Sequence, residues 1–235
     1  MSITITKKDE FGRADYGWLQ ACYHFSFADY YNPDRKGFGV LRVVNDDCIH
    51  PGKGFDLHPH RNMEIITYVK EGAITHHDSQ GNKGRTEAGN IQVMSAGSGI
   101  YHSEFNHETV NTTLYQIWIE PHTQHVTPSW NSLDVKSLIP TEGMQCLISG
   151  DGTSPLHIYQ DVHIYVAKFE TNTRVTHPLN YLGYILIVKG SVKIDGQNAT
   201  TGDSIMLENE STIDMVMNSQ TEVIILDIPP KSVPC

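Results

Sequence analysis

Two stretches decide the fold: Tyr68-Val-Lys-Glu-Gly72-Ala-Ile, a polar turn and Glu87-Ala-Gly89-Asn-Ile-Gln-Val-Met94, then, far downstream, Ile187-Val-Lys-Gly190-Ser-Val-Lys, a turn and Thr200-Thr-Gly202-Asp-Ser-Ile-Met-Leu207. Each spells strand, Gly, strand, turn, strand, Gly-(Asn/Asp), strand. A supersecondary pattern repeated in both halves predicts a duplicated β domain. Other strand-like runs surround the two copies. They are Gly39–Val44, Glu64–Val69, Thr113–Ile119, Val162–Phe169, Tyr184–Val188 and Thr221–Leu226, short and bounded by Gly, Asn, Asp and Pro, as in an all-β barrel or sandwich. Asp78-Ser-Gln-Gly-Asn82 and Asp195-Gly-Gln-Asn198 carry hairpin residues that tolerate positive φ. The best helix candidate is the short, polar stretch around Ser129–Leu138. The expected organisation is a barrel over 1–125, a connecting segment over 126–152 and a second barrel over 153–235.

Composition narrows the partners. The chain has 235 residues, 39% hydrophobic and 19% charged, with a net charge of −10. It is therefore a globular chain, large enough for two cores. The acidic balance argues against direct nucleic-acid binding, which needs Lys and Arg against phosphate, and against an anionic membrane surface. Apolar runs are strand-sized, far from the ~20 residues of a membrane helix. Cys22, Cys48, Cys146 and Cys235 are scattered and form no CxxC. With no signal-like N-terminus, a reduced, cytoplasmic protein is expected.

Ten of the thirteen histidines precede residue 126. Within that region lie Gly54-Phe-Asp-Leu-His58-Pro-His60-Arg-Asn-Met-Glu64 and Gly97-Ser-Gly-Ile-Tyr-His102-Ser-Glu104-Phe-Asn106. Alternate residues of a strand share a face, about 6.5–7 Å apart. His58 and His60 therefore aim together, as do His102 and Glu104. Two such pairs on facing strands can surround one divalent first-row cation with nitrogen and oxygen donors. An isolated HxH is more often an exposed or hydrogen-bonded pair; the combination with HxE is far more specific. Glu64 shares parity with His58 and His60, which would let it line the pocket as a supporting group or general base. His76 and His77 would point to opposite faces if they lie on a strand, and His107, His122 and His125 read as loop residues. Gly97-Ser-Gly99 imitates a dinucleotide loop, but no βαβ pattern follows. In the second half, His177-Pro-Leu179 lacks the second His, and the stretch after Gly202 has none, so that barrel is expected to be structural.

These motifs resemble the cupin pattern, and within cupins the pirin family. Gly52-x5-His58-x-His60-x3-Glu64-x7-Gly72 is similar to the first cupin motif, one residue longer at its end. Gly89-x5-Ser95-Ala-Gly97-x4-His102-x3-Asn106 is similar to the second, with Ser95 in place of the usual Pro and two extra residues before His102. Both departures resemble pirin-like chains, as do Ala14–Pro33, His58–Ile65 and His76–Asn82. The likeness is strong over about residues 12–120. It implies two tandem cupin barrels (double-stranded β-helix or jelly-roll, a bicupin) and His58, His60, His102 and Glu104 as ligands of one divalent transition metal, Fe(II) first, with Mn, Ni, Cu or Zn as alternatives. Glu64 and Glu104 are the candidate proton-transfer groups. The implied activity is a metal-dependent dioxygenase acting with O2 on a flavonol or related hydroxylated aromatic, similar to quercetin 2,3-dioxygenase. The alternatives are a non-catalytic metal or redox sensor with a protein partner and, third, a cupin isomerase of sugar nucleotides or small acids.

Overall fold

A computed structural model describes residues 2–135, 138–139 and 143–231. Among them, strands dominate and no helix is long and apolar enough to cross a membrane. The chain divides into two compact units, one built from 12–136 and 156–160, the other from 1–11, 137–155 and 161–235.

The first unit follows β1 (Ser2–Thr6) and begins with β2 (Gly12–Asp15), β3 (Leu19–Tyr23) and β4 (Leu41–Ile49). It continues through β5 (Gly54–His60), β6 (Glu64–Glu71), β7 (Ala73–Asp78), β8 (Lys83–Glu87), β9 (Ile91–Ser95), β10 (Ile100–Phe105), β11 (Thr112–Ile119) and β12 (Ser129–Leu133). A large antiparallel sheet runs β12–β9–β6–β11–β4–β3–β2, and a smaller one runs β5–β10–β7–β8. The second unit follows β13 (Gly143–Ser149), β15 (His163–Phe169), β16 (Arg174–Pro178), β17 (Leu182–Lys189), β18 (Ser191–Ile194), β19 (Gln197–Thr200), β20 (Ser204–Glu208), β21 (Thr212–Met217) and β22 (Thr221–Ile228). The two-residue β14 (Leu156–His157) falls in the segment that belongs to the first unit. In the second unit the sheets run β1–β20–β17–β22–β15–β13 and β16–β21–β18–β19. The pairing order β9–β6–β11–β4–β3 with β5–β10–β7–β8 is thus repeated as β20–β17–β22–β15–β13 with β16–β21–β18–β19.

The repeat extends to single hydrogen bonds. In the first unit Ala88 N donates to Gly72 O (2.9 Å) and Gly89 N to Val69 O (2.8 Å); in the second, Thr201 N donates to Gly190 O (3.0 Å) and Gly202 N to Ile187 O (2.8 Å). The Thr112 hydroxyl donates to Ala73 O at 2.8 Å, and its counterpart Thr221 donates to Ser191 O at 3.1 Å. Both Gly72 and Gly190 have positive φ, 73° and 88°. Antiparallel hairpins with this geometry are fixed by turn chemistry, and Asp195-Gly196, both at positive φ, closes one of them.

Three expectations change. Residues 1–11 belong with the second unit because β1 pairs with β20, from Ser2 opposite Glu208 to Thr6 opposite Ser204. Ser129–Leu133, within the helix candidate, is instead strand β12, antiparallel to β9. The exposed edge of β9 offers backbone partners that outweigh a weak local preference; Lys136 and Ser137 of that candidate lie outside the described residues. Finally, the strand beginning near Gly39 does not stop at Val44 but runs to Ile49.

The duplicated turns generate a prediction. A Cβ on Gly72 would sit 2.7 Å from Thr112 Oγ1 and 2.9 Å from Asn111 O, and one on Gly190 would sit 2.2 Å from Gln220 O. Gly72→Ala and Gly190→Ala should each destabilise by roughly 2 kcal/mol or more, measured as a lower urea midpoint. An unchanged midpoint would show that the turns relax freely.

Candidate metal centre

β5 and β10 run antiparallel with His102 opposite His58, and the register shifts between His102 and Glu104. On its other side β10 pairs with β7, placing Glu104 opposite His76. Strand alternation turns His58 and His60 to one face, and the pairing brings His102 against them. The ring centroids lie 4.9 Å (His58–His60), 4.4 Å (His58–His102) and 4.9 Å (His60–His102) apart. One ring nitrogen from each lies within 4.8 Å of the others; His76, His102 and Glu104 form a second such group.

Hydrogen bonds orient these rings. His58 Nδ1 lies 2.6 Å from the Asp56 carbonyl; as the donor there, it leaves Nε2 as the lone-pair nitrogen. His76 is fully buried, stacks on Trp130 at 4.9 Å and places Nε2 2.9 Å from Asp78 Oδ2. Although burial opposes it, hydrogen bonds from His76, Asn82 and Gln80 hold the Asp78 carboxyl below its ordinary range. Asp78 therefore accepts, and His76 Nδ1 is left as the acceptor facing His102 Nδ1 at 3.4 Å. That arrangement puts the lone pair of His102 on Nε2, a buried atom without a partner. Burial, together with the neighbouring His58, pushes His60 down to about 4. Burial and the surrounding histidines push His102 down to about 2. Both imidazoles are neutral at neutral pH, the form that ligates metals.

Glu104 is buried and sits where three inward side chains of the large sheet converge. Gln92 Nε2 donates to Oε1 at 2.7 Å and Gln116 Nε2 to Oε2 at 2.8 Å, with the Thr67 hydroxyl at 3.5 Å. Gln116, Thr67 and Gln92 are direct cross-strand neighbours on β11, β6 and β9. Burial still raises Glu104 to about 7 against these donors. Beside the histidines opens a cavity of about 160 Å³ whose wall includes Phe55, Trp118 and Phe27, together with Asn45 and Asp47 from β4. Trp118 meets His60 edge-on at 4.9 Å.

Glu64 does not join this group. The turn through Asn62, at positive φ of 48°, ends β5 and opens β6, so strand parity does not carry from His60 to Glu64. Thr67 faces Glu104, and Glu64, three residues away on the same strand, faces the other side of the sheet. There the Ser95 hydroxyl donates to it at 2.6 Å. The expected pocket role for Glu64 is corrected on that ground. His76 is buried and His77 exposed, as strand alternation requires. Gln92, Gln116, Thr67, Asp78, Asn45 and Asp47 escaped the reading of the sequence. For Gln92, Gln116 and Thr67 the signal was present: each is a polar residue in a strand that otherwise reads as core, and buried polar groups need partners.

The donor set fits a divalent first-row cation. It consists of neutral imidazoles with a converging, unpartnered buried nitrogen and an adjacent buried carboxylate, with no thiolate. Paired four-stranded and larger sheets repeated twice, with HxH and HxE on facing strands of the first copy, define a two-barrel cupin. The sequence profile described as Pirin matches residues 4–119, and that described as Quercetinase C-terminal cupin domain matches 146–228. Quercetin 2,3-dioxygenase of Escherichia coli (strain K12) is 40% identical over 232 residues, covering 97% of this chain and 99% of that protein. A pirin-like protein of Caulobacter vibrioides is 43% identical, with 93% and 96% covered. The crystal structure of the bacterial pirin YhhW of Escherichia coli in complex with nickel(II) superposes with a TM-score of 0.92 at 39% identity, covering 97% and 100% of the two chains. The chain belongs to the pirin family.

The buried Glu64 makes stability depend on pH. Burial raises its carboxyl from 4.5 to about 7, partly offset by Ser95 and the Tyr159 backbone. Between those values the folded chain binds more protons than the unfolded one, so stability falls as pH rises through that window. Glu64→Gln should remove that contribution, gaining about 2–3 kcal/mol over wild type above pH 7 and little below pH 4.5. Urea unfolding at several pH values measures the difference; a constant difference across pH would contradict it.

Proposed function

We propose that His58, His60, His102 and Glu104 hold one divalent cation, Fe(II) being the metal best suited to O2 chemistry, and that the protein is a dioxygenase acting on a flavonol or related hydroxylated aromatic. The observation that carries this reading is the convergence of three imidazoles, one with a buried unpartnered nitrogen, beside a cavity walled by aromatic rings. The nickel in the related pirin and the activity in the name of the Escherichia coli relative support it. A bound cation would supply Lewis acidity toward adjacent hydroxyl and carbonyl oxygens and a route for electrons to O2.

The chain's own residues do the rest. Asp78, through His76, and the Asp56 carbonyl fix the rings of His102 and His58, so their free nitrogens are set before anything binds. Gln92 and Gln116 hold the Glu104 carboxylate in place. A substrate hydroxyl entering the cavity gives its proton to a Glu104 oxygen, leaving an aromatic oxyanion. Phe55 and Trp118 flank the ring, orient it and exclude competing water.

Metal-loaded protein should bleach flavonol absorbance with stoichiometric O2 uptake; if both stay flat, the enzyme reading is rejected. His58→Ala should lower metal content sharply and abolish turnover while leaving a folded β protein. Asp78→Ala, which removes the support behind His76 and His102 along with the turn contacts to Gln80 and Asn82, should weaken binding of the same metal about 10–100-fold by titration calorimetry. Unchanged affinity would remove the Asp78–His76 chain from the account.

A further inference from the structure

β4 contributes two buried polar side chains to the cavity wall that the proposed chemistry leaves unused. Asn45 is 3% exposed and Asp47 is 2% exposed, and both line the cavity. The Oδ1 atom of each has no hydrogen-bond partner. Leaving a buried polar oxygen unpaired is unfavourable, so each site needs an explanation.

The second barrel acts as an internal control. Leu114 lies opposite Asp47 on β4, and its counterpart Val223 lies opposite Ala167 on β15. Gln116 lies opposite Asn45, and its counterpart Ile225 lies opposite Tyr165. Ala167 is buried in an apolar cluster. The scaffold therefore closes with a small apolar residue at this position, and the carboxyl of Asp47 is not a requirement of the fold. Size adds a second constraint. A cavity of about 150 Å³ accommodates benzene, and this one, at about 160 Å³, matches one aromatic ring rather than a complete flavonol.

We propose that Asn45 and Asp47 form a recognition subsite in which the ring nearest the metal centre is selected for a hydroxyl that hydrogen-bonds to their side-chain oxygens. The inference rests on the aromatic-substrate reading above and names the feature of the substrate that the site selects. The hydroxyl donates to Asn45 Oδ1 or Asp47 Oδ1, filling the acceptors that the empty fold leaves unpaired. The rest of a larger molecule extends beyond the enclosed part of the cavity. Sites built to hydrogen-bond a hydroxyl reject analogues that lack it far more strongly than apolar pockets reject an extra methylene.

Binding, rather than turnover, tests it. Quercetin and 3-hydroxyflavone share the same chelating hydroxyl and carbonyl and differ in the remaining ring hydroxyls. Tryptophan-fluorescence quenching of metal-loaded protein should show wild type preferring quercetin by about tenfold or more. Asp47→Ala and Asn45→Ala should bring the two affinities within about threefold, leave 3-hydroxyflavone binding and metal content unchanged, and not lower the melting temperature of the ligand-free protein. A preference that survives both substitutions, or equal affinities in wild type, overturns the subsite while sparing the metal site. A lower melting temperature with the preference intact assigns the pair to structure and also overturns it. Failure of wild type to bind either compound overturns the aromatic-substrate reading, and the subsite with it.

Discussion

A carboxylate without solvent exposure can persist inside a β barrel only if donors or a cation meet it, and Glu104 is that carboxylate. Its partners are not local. Gln116, Thr67 and Gln92 come from three adjacent strands of the large sheet, while Glu104 comes from the small one. The register of β11, β6 and β9 aligns them in one row, so the polar layer and the sheet pairing specify each other. A slip of one residue on any of these strands would turn its donor to the opposite face. The same layer leaves the Glu104 oxygens beside His102, which is why the site needs the whole barrel and not just the strands bearing the histidines.

The two barrels show what that layer is for. The register that places Glu104 opposite His76 places Met215 opposite Ile194 in the second barrel. The register that sets His102 opposite His58 sets Ile213 opposite His177. Thr67, Gln92 and Gln116 correspond to Ile185, Ile205 and Ile225, all fully buried. Only His177 survives of the histidines, with its ring against Tyr165 at 4.6 Å. One topology thus accepts either an apolar interior or a polar one. The apolar version is what packing alone favours; the polar version needs donors matched to each buried acceptor. The skew of the histidines toward the first half follows directly.

Much of this was legible in the chain. HxH and HxE on separate strands, and the Gly-punctuated repeat, depend on period-two geometry and turn chemistry, which are local and survive in any context. What was hidden depends on which face of a strand looks inward. Glu64–Lys70 contains no exposed side chain, and a strand buried on both faces gives no alternation to read; hence Glu64 was placed on the wrong side and Thr67 went unremarked. The run Asn45-Asp46-Asp47 looks like a turn because those residues favour turns. Pairing with both β3 and β11 keeps it extended, and the strand that carries Asn45 and Asp47 was therefore cut short in the reading of the sequence. The stacking of Trp130 on His76 is likewise a long-range contact that no local window contains.

Local rules fail here in one place above all. Asn45, Asp47 and Gln116, which break the pattern of a β core, line one cavity, and Thr67 and Gln92 reach the Glu104 carboxyl in its wall. Inconsistency between local preference and native position is expected where function is served. The unpaired oxygens on β4 and the unpaired nitrogen of His102 reduce stability in the ligand-free state, and that deficit is recovered when polar groups of a ligand or a cation complete them. An apolar cavity of the same size would be more stable and less discriminating. The first barrel gives up stability at these positions, and the second keeps the arrangement that packing prefers.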